Sequence, residues 1–291
     1  MTDKQHPSRF ATDAVHSGTQ HIGDAVNTPI FQSSTYKLTD ERYAGWAAGA
    51  QHTLLYARLS TVNSDAVAQK LMALEGGEDA ETFSSGMGAI SATLMALLNQ
   101  GDHMVASADI YGGTYGLLTE EFPRFGISTT MADMRDPASY EAAIQENTKL
   151  LYIETLTNPV LKVCDIEAMA DVAKRHNLLL LIDNTFASPW GCKPLDMGVD
   201  LVLHSTTKYL GGHSDILGGA VVGSKDLIAQ IFMRKVHFGA APDPHSCYLL
   251  ERGMRTLDVR MPRICENAYN LAVRLENPVS YTHLTLPTRI F

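Results

Sequence analysis

The chain has 291 residues, 45% hydrophobic and 19% charged, which is enough for one large domain and part of a second. A formal net charge of −9, without a basic stripe, RNA motif or zinc spacing, gives no support to a nucleic-acid role. The longest apolar run, Leu178 to Ile182, is far too short to span a bilayer.

Residues 1–50 lack strong periodicity and read as an extended arm, with Thr28-Pro29-Ile30-Phe31 extended and a soft, alanine-rich stretch at 45–49. From residue 64 a rhythm begins. Asp65 to Leu74 predicts an amphipathic helix that stops at Gly76-Gly77. Ala80–Phe83 predicts a strand, and Ser84-Ser85-Gly86-Met87-Gly88 turns into a helix over 89–98. Strands follow at 103–106, 127–132, 150–153, 178–182, 201–203 and 219–222, with helices at 111–122, 139–145 and 166–176, the last opened by Asp165 as N-cap. Short, purely apolar strands alternating with helices predict an α/β fold, a mostly parallel sheet with helices on both faces. Leu257 to Leu275 predicts a long helix leading toward a second domain.

Ligands of open α/β sheets bind beyond the carboxyl ends of the strands. After 80–83 comes the glycine turn Ser85 to Gly88 opening a helix, where free backbone N–H groups suit a phosphate. After 103–106 comes Tyr111 beside Gly112-Gly113, and after 150–153 come Glu154 and the turn Thr157-Asn158-Pro159. After 178–182 comes Asp183, a carboxylate that is costly at the end of an apolar strand unless paired. After 201–203 come Ser205, Thr206, Thr207 and Lys208. A lysine just past a buried strand can act as an amine nucleophile of the Schiff-base type. The plainer readings are a loop lysine, a tight glycine turn, a tyrosine covering the sheet edge and an Asn-Pro turn. Together, however, a phosphate cradle, two hydroxyls, an aromatic ring, a buried carboxylate and a lysine match the needs of pyridoxal phosphate (PLP).

At this level of detail the chain resembles a known family, the PLP-dependent transsulfuration enzymes of cysteine and methionine metabolism. The carrying motifs are YAR (Tyr56 to Arg58), SSGMGAI, DIYGGTY, ETLTNP, IDNTFASP, HSTTKYLGGHSD and RGMRTLDVRM, spread from Phe10 to Ala272. Members include cystathionine γ-synthase, cystathionine γ-lyase, methionine γ-lyase and O-acetylhomoserine sulfhydrylase. The resemblance implies PLP fold type I, the aspartate-aminotransferase-like architecture, and γ-elimination or γ-replacement on small sulfur-containing or O-acylhomoserine amino acids. It implies that Lys208 holds the cofactor and moves protons, that Asp183 pairs with the pyridine nitrogen, and that Tyr111 stacks on the ring and serves as acid or base. Gly86, Met87, Ser205 and Thr207 would hold the phosphate, and Asn158 would lie near the ring hydroxyl. Tyr56 and Arg58 would reach the phosphate of a neighbouring subunit, which implies a homo-oligomer, at least a dimer and commonly a tetramer.

Three positions depart from the family. Gly113 stands where methionine γ-lyases usually carry cysteine. Ser60-Thr61-Val62-Asn63 replaces the usual Ser-Asn-Pro-Thr, so the loop with Tyr56 and Arg58 is expected to sit differently. The arginine that binds substrate carboxylate in the family belongs to a C-terminal domain, and no residue here takes that role.

The expected organisation is an arm over 1–50, a PLP-binding large domain over 51–250, and a connector helix over 251–277 into a C-terminal small domain that is largely missing. Val279 to Thr288 resemble the in-frame translation of a transposon-end sequencing adapter, and residues 278–291 are read as a non-native tail. Two other readings stand beside the enzyme: a truncated fragment that binds PLP without turnover, and a PLP aminotransferase of the same fold. Four widely spaced cysteines without a CxxC pair, and an N-terminus without an apolar signal segment, suit a reducing, cytoplasmic setting.

Overall fold

A computed structural model describes residues 7–48 and 52–276; the tail read as non-native lies outside the described residues. The chain forms a seven-stranded sheet in the order β1-β7-β6-β5-β4-β2-β3. The strands are β1 (Asp79–Phe83), β2 (His103–Ser107), β3 (Ser128–Ala132), β4 (Thr148–Glu154), β5 (Leu179–Asp183), β6 (Leu201–His204) and β7 (Gly219–Gly223). All pairings are parallel except those of β7, which runs against both β1 and β6. The mostly parallel sheet expected from apolar strands is therefore present, with one reversed strand.

Period-two alternation sends neighbouring strand residues to opposite faces. Phe83, Met104, Tyr152, Leu181, Leu203 and Val221 face one layer, which contains α4 (Gly86–Leu97) and α9 (Lys225–Phe238). On the other face, Ala80, Ala220 and Val222 meet α3 (Val62–Glu75), α10 (Pro244–Met254) and α11 (Leu257–Glu276), while Leu151, Ile153, Ile182 and Val202 meet α6 (Pro137–Ala143) and α7 (Ile166–Arg175). Burial on both faces is why the strands carry so few polar residues.

The helix boundaries follow local chemistry. Thr61 caps α3 by accepting the Ser64 N–H, Ser64 returns the bond to the Thr61 N–H, and Gly76 ends the helix at φ 82°. This cap starts the helix three residues before the expected Asp65. Asp165 caps α7 as predicted. The helix expected over 111–122 is broken instead: a short α5 (Gly112–Gly116) gives way to a π turn and then a 3-10 turn that carries Pro123 and stops at Gly126. Two helices lie in the region read as an arm, α1 (Pro7–His16) and α2 (Asp40–Ala47), and α2 buries none of its residues. The short α8 (Ser188–Gly191), with α9 and α10, completes the helices, and none of these three was marked by the sequence pattern.

Buried charges fasten the periphery. Lys70 is fully buried and donates to the carbonyls of Ala14 and Val15, stopping α1 against α3. Burial pushes its ammonium down to about 8. Lys235 of α9 pairs with Glu81 of β1 at 2.9 Å and also donates to the Leu59 carbonyl. No described helix is long and apolar enough to cross a membrane.

Candidate active site

The carboxyl ends of β4, β5 and β6, the turn before α4 and the Tyr111 turn surround one cavity of about 260 Å3. Gly86, Met87, Tyr111, Asn158, Asp183, Ser205, Thr207 and Lys208 all line it. Eight of the ten residues singled out in the sequence are thus brought together by strand topology alone. Tyr56 and Arg58 do not line it.

The α4 turn is shaped by its glycine. Ser85 Oγ accepts the Gly88 N–H at 2.9 Å, and the N–H groups of Gly86 and Met87 at the helix start have no partner among the described residues. A Cβ on Gly86 would lie 2.9 Å from Ser205 Oγ, so only glycine lets this turn close over Ser205. Two free N–H groups beside a hydroxyl at a helix N-terminus can hold a phosphate.

The run after β6 alternates. Thr206 is fully buried, whereas Ser205 and Thr207 face the cavity. Thr207 Oγ1 accepts the Gly218 N–H at 3.1 Å and donates weakly to the Gly218 carbonyl at 3.4 Å, so its proton can turn toward an anion. Lys208 is half-buried, and its side-chain amine makes no hydrogen bond or ion pair among the described residues. Behind it, Arg260 of α11 donates to the carbonyls of Tyr209 and Gly253, pinning the lysine loop to the helical layer.

Asp183 forms no ion pair among the described residues. Burial pushes its carboxyl above the usual carboxylate range, opposed by the Thr185 N–H, which donates to Oδ1 at 2.9 Å. Thr185 Oγ1 in turn accepts the Ser205 N–H at 2.8 Å, coupling the two strand ends. Tyr111 is about half exposed, and its ring lies over Gly113 so closely that a Cβ there would approach Cε1 to 2.5 Å. Glu154, buried at the end of β4, accepts the N–H groups of Tyr111 (2.8 Å) and Asn158 (3.3 Å).

Sequence reasoning noted Glu154 only as a strand-end neighbour and Thr185 only within the IDNTFASP motif. The Asp-x-Thr spacing was a usable signal for Thr185, since Asp side chains accept the backbone N–H two residues on. Nothing local announced Glu154, whose partners lie on two separate loops.

Tyr56 and Arg58 sit in a different place. Arg58 donates to the Val236 carbonyl at 2.8 Å and its guanidinium lies 5.5 Å from the Tyr56 ring centre. Both line an apolar groove of about 620 Å3 with Tyr43, Trp46, Phe232 and Met233. The loop is fastened by His52, which bonds Asp65 at 2.9 Å and lies 3.7 Å from Asp79. Burial opposes its charge, but the two carboxylates outweigh that and raise its pKa to about 10.

The donor set fits PLP on this structure's own terms: free helix-start N–H groups over a glycine cradle, a carboxylate lacking a cation, an unpaired lysine amine and an exposed aromatic face converge on one cavity. Fold and cavity define an α/β protein of the PLP-dependent class. A family model for Cys/Met metabolism PLP-dependent enzymes matches residues 11–288. L-methionine gamma-lyase of Porphyromonas gingivalis is 42% identical over 274 residues, which are 92% of this chain and 69% of that protein. Cystathionine gamma-lyase of Bacillus subtilis is 44% identical over 90% of this chain and 68% of its own length. The crystal structure of cystathionine gamma-lyase from Lactobacillus plantarum complexed with L-serine superposes with a TM-score of 0.85 at 39% identity, covering 92% of this chain and 69% of that one. The chain belongs to the Cys/Met metabolism family of PLP-dependent enzymes.

Proposed function

We propose that this chain carries the cofactor site of an enzyme performing γ-elimination or γ-replacement on sulfur-containing or O-acylhomoserine amino acids. The observation that carries the reading is the convergence of Lys208, Asp183 and the Gly86–Met87 N–H groups on one cavity. The names of the relatives, L-methionine gamma-lyase and cystathionine gamma-lyase, support the substrate class.

When bound, PLP supplies an electron sink for charge developing on the substrate carbons. Lys208 Nζ would hold the cofactor and would take and return protons at the substrate's α- and β-carbons. Asp183, seated at the end of β5, would pair with the pyridine nitrogen. Gly86, Met87, Ser205 and Thr207 would bind the phosphate, and Asn158 would orient the ring. Tyr111 would offer an aromatic face to the ring and its hydroxyl as an acid or base toward the leaving group. The cavity adjoins a broader cleft of about 840 Å3, which shares Phe186, Thr207, Lys208 and Leu217. Lys208 stands between the two, so substrate entering through the cleft meets the lysine first.

Tyr56 and Arg58 serve the phosphate of a second copy of the chain, because the groove they line is separate from their own chain's cavity. The working form is then a homo-oligomer, at least a dimer. Four free cysteines support a reducing, cytosolic setting. The long α11, mostly exposed, is the connector toward a second domain.

Adding PLP to the purified chain tests the reading. A visible absorbance band that is lost in Lys208→Ala supports the site. Release of a 2-oxo acid from cystathionine, methionine or O-acetylhomoserine separates turnover from cofactor binding alone. A band of equal size in Lys208→Ala would sink the assignment of Lys208.

A further inference from the structure

Glu154 is out of keeping with its surroundings. It ends a strand whose preceding residues, Leu150 to Ile153, are fully buried, and it is itself only 3% exposed. Its register partner on the next strand is Asp183, so two carboxylates lie side by side at the floor of the cavity. Like charges at adjacent strand ends are unfavourable. Burial, and then the charge of Asp183, push the Glu154 carboxyl up to about 8. A buried acid in that position costs stability, and packing alone does not require one.

Its hydrogen bonds show what it does. Oε1 accepts the N–H of Tyr111, which follows β2, and Oε2 accepts the N–H of Asn158, which follows β4. One carboxylate therefore bridges two loops from inside the cavity. Outside, Lys162 and Asp109 join the same two loops by an ion pair. The loops need such ties, because Tyr111, Val160, Leu161 and Val163 are all exposed. Glutamate suits the task. Aspartate is one methylene shorter, and glutamine has one acceptor oxygen where two N–H groups point inward.

We propose that Glu154 is a positioning residue: its carboxylate gathers the backbones of Tyr111 and Asn158 so that both side chains stand ready around the cofactor before it binds. The inference rests on the PLP reading above and adds a residue to it. The ionised form accepts two N–H groups more strongly than the acid does, so the gathered arrangement is favoured as pH rises through the Glu154 titration. The ionisable groups around it are Asp183 on β5, Tyr152 on its own strand, Tyr140 on α6 and Lys208 from the loop after β6.

The test uses the full chain with Glu154→Gln and Glu154→Ala, first checking folding by circular dichroism. Amide hydrogen exchange of the cofactor-free proteins is read over peptides covering 107–116 and 155–163. Faster exchange in both peptides together, with the rest unchanged, is the expected result. PLP affinity should fall by roughly tenfold in Glu154→Ala and less in Glu154→Gln, the scale of losing charge-assisted hydrogen bonds. Wild type minus Glu154→Gln should leave an affinity component that rises with pH around 8. Wild-type exchange in both peptides, with wild-type PLP affinity, overturns the inference; if Glu154→Ala does not fold, Glu154→Gln decides. Lys208→Ala is run alongside. Absence of the band in wild type, or a band of equal size in Lys208→Ala, defeats the cofactor reading separately, since the exchange result does not depend on it.

Discussion

The strand-end cavity and the 52–61 loop are built in opposite ways. The cavity takes each polar group from a different strand end of one chain and locks it from behind: Thr185 holds Asp183 and Ser205, Glu154 holds Tyr111 and Asn158, and Arg260 holds the lysine loop. The loop does the reverse. His52, Asp65 and Ser60 fix its root, while Tyr56 is left 44% exposed and Arg58 spends one donor on a backbone carbonyl. A group that is locked on all sides has its partner within the chain. A group with a rigid root and an exposed tip is arranged to meet something else.

The largest effect should come from the cavity itself. Lys208→Ala is expected to remove the visible cofactor band and all turnover, measured by absorbance and 2-oxo acid release. Asp183→Asn should follow, weakening PLP by roughly tenfold to a hundredfold, the range for losing a hydrogen bond to a charged group, read by fluorescence titration. The contrast between the two regions is sharpest in a mixing experiment. On the proposed cross-subunit site, Arg58→Ala and Lys208→Ala should each be inactive and should regain activity when reassembled together, one subunit supplying the lysine and the other the arginine. Failure of mixed, fully assembled material to regain activity would break the comparison.

His52→Ala should free the root of the loop and cost about 1–2 kcal/mol, the scale of a charged hydrogen bond, measured by denaturant unfolding. Because His52 is raised from 6.5 to about 10 in the folded chain, its contribution is complete below pH 6.5 and is lost as pH climbs through 10. Unfolding curves of wild type and His52→Ala should therefore converge at high pH. The smallest effect concerns thiols. Exposed Cys265 should react with a soluble alkylating agent well before Cys247 and Cys164, which are buried and held up at about 12. That reaction should leave the cavity untouched.

Much of the cavity was legible because its signals are local: an apolar strand, then a short run of chemistry at its carboxyl end. Gly86, Asp183 and Lys208 each announce themselves within a few residues. Glu154 did not, because its function is defined by Tyr111, 43 residues away. The helices α9 and α10 were missed for a related reason. Lys235 lies in the last turn of α9 and reads as a surface charge, yet it is buried and bonded to Glu81, 154 residues earlier. The N-terminal α1 is held by Lys70 from α3, again a long-range contact. The broken helix after Tyr111 was a local miss, since Pro123 and Gly126 were both visible.

The reversed strand β7 has a further consequence, one of folding order. Because β7 pairs antiparallel with β6, His204 beside Ala220, segment 205–218 leaves and re-enters the sheet at the same end of the strands. The Thr206 N–H already meets the Gly218 carbonyl across its neck at 3.0 Å. Closing such a loop demands little entropy, whereas seating β1 against β7 joins residue 83 to residue 219. The lysine and its two hydroxyl neighbours thus belong to a unit that can close on its own. The glycine cradle, carried by the chain just after β1, is delivered to it only when the edge strand docks.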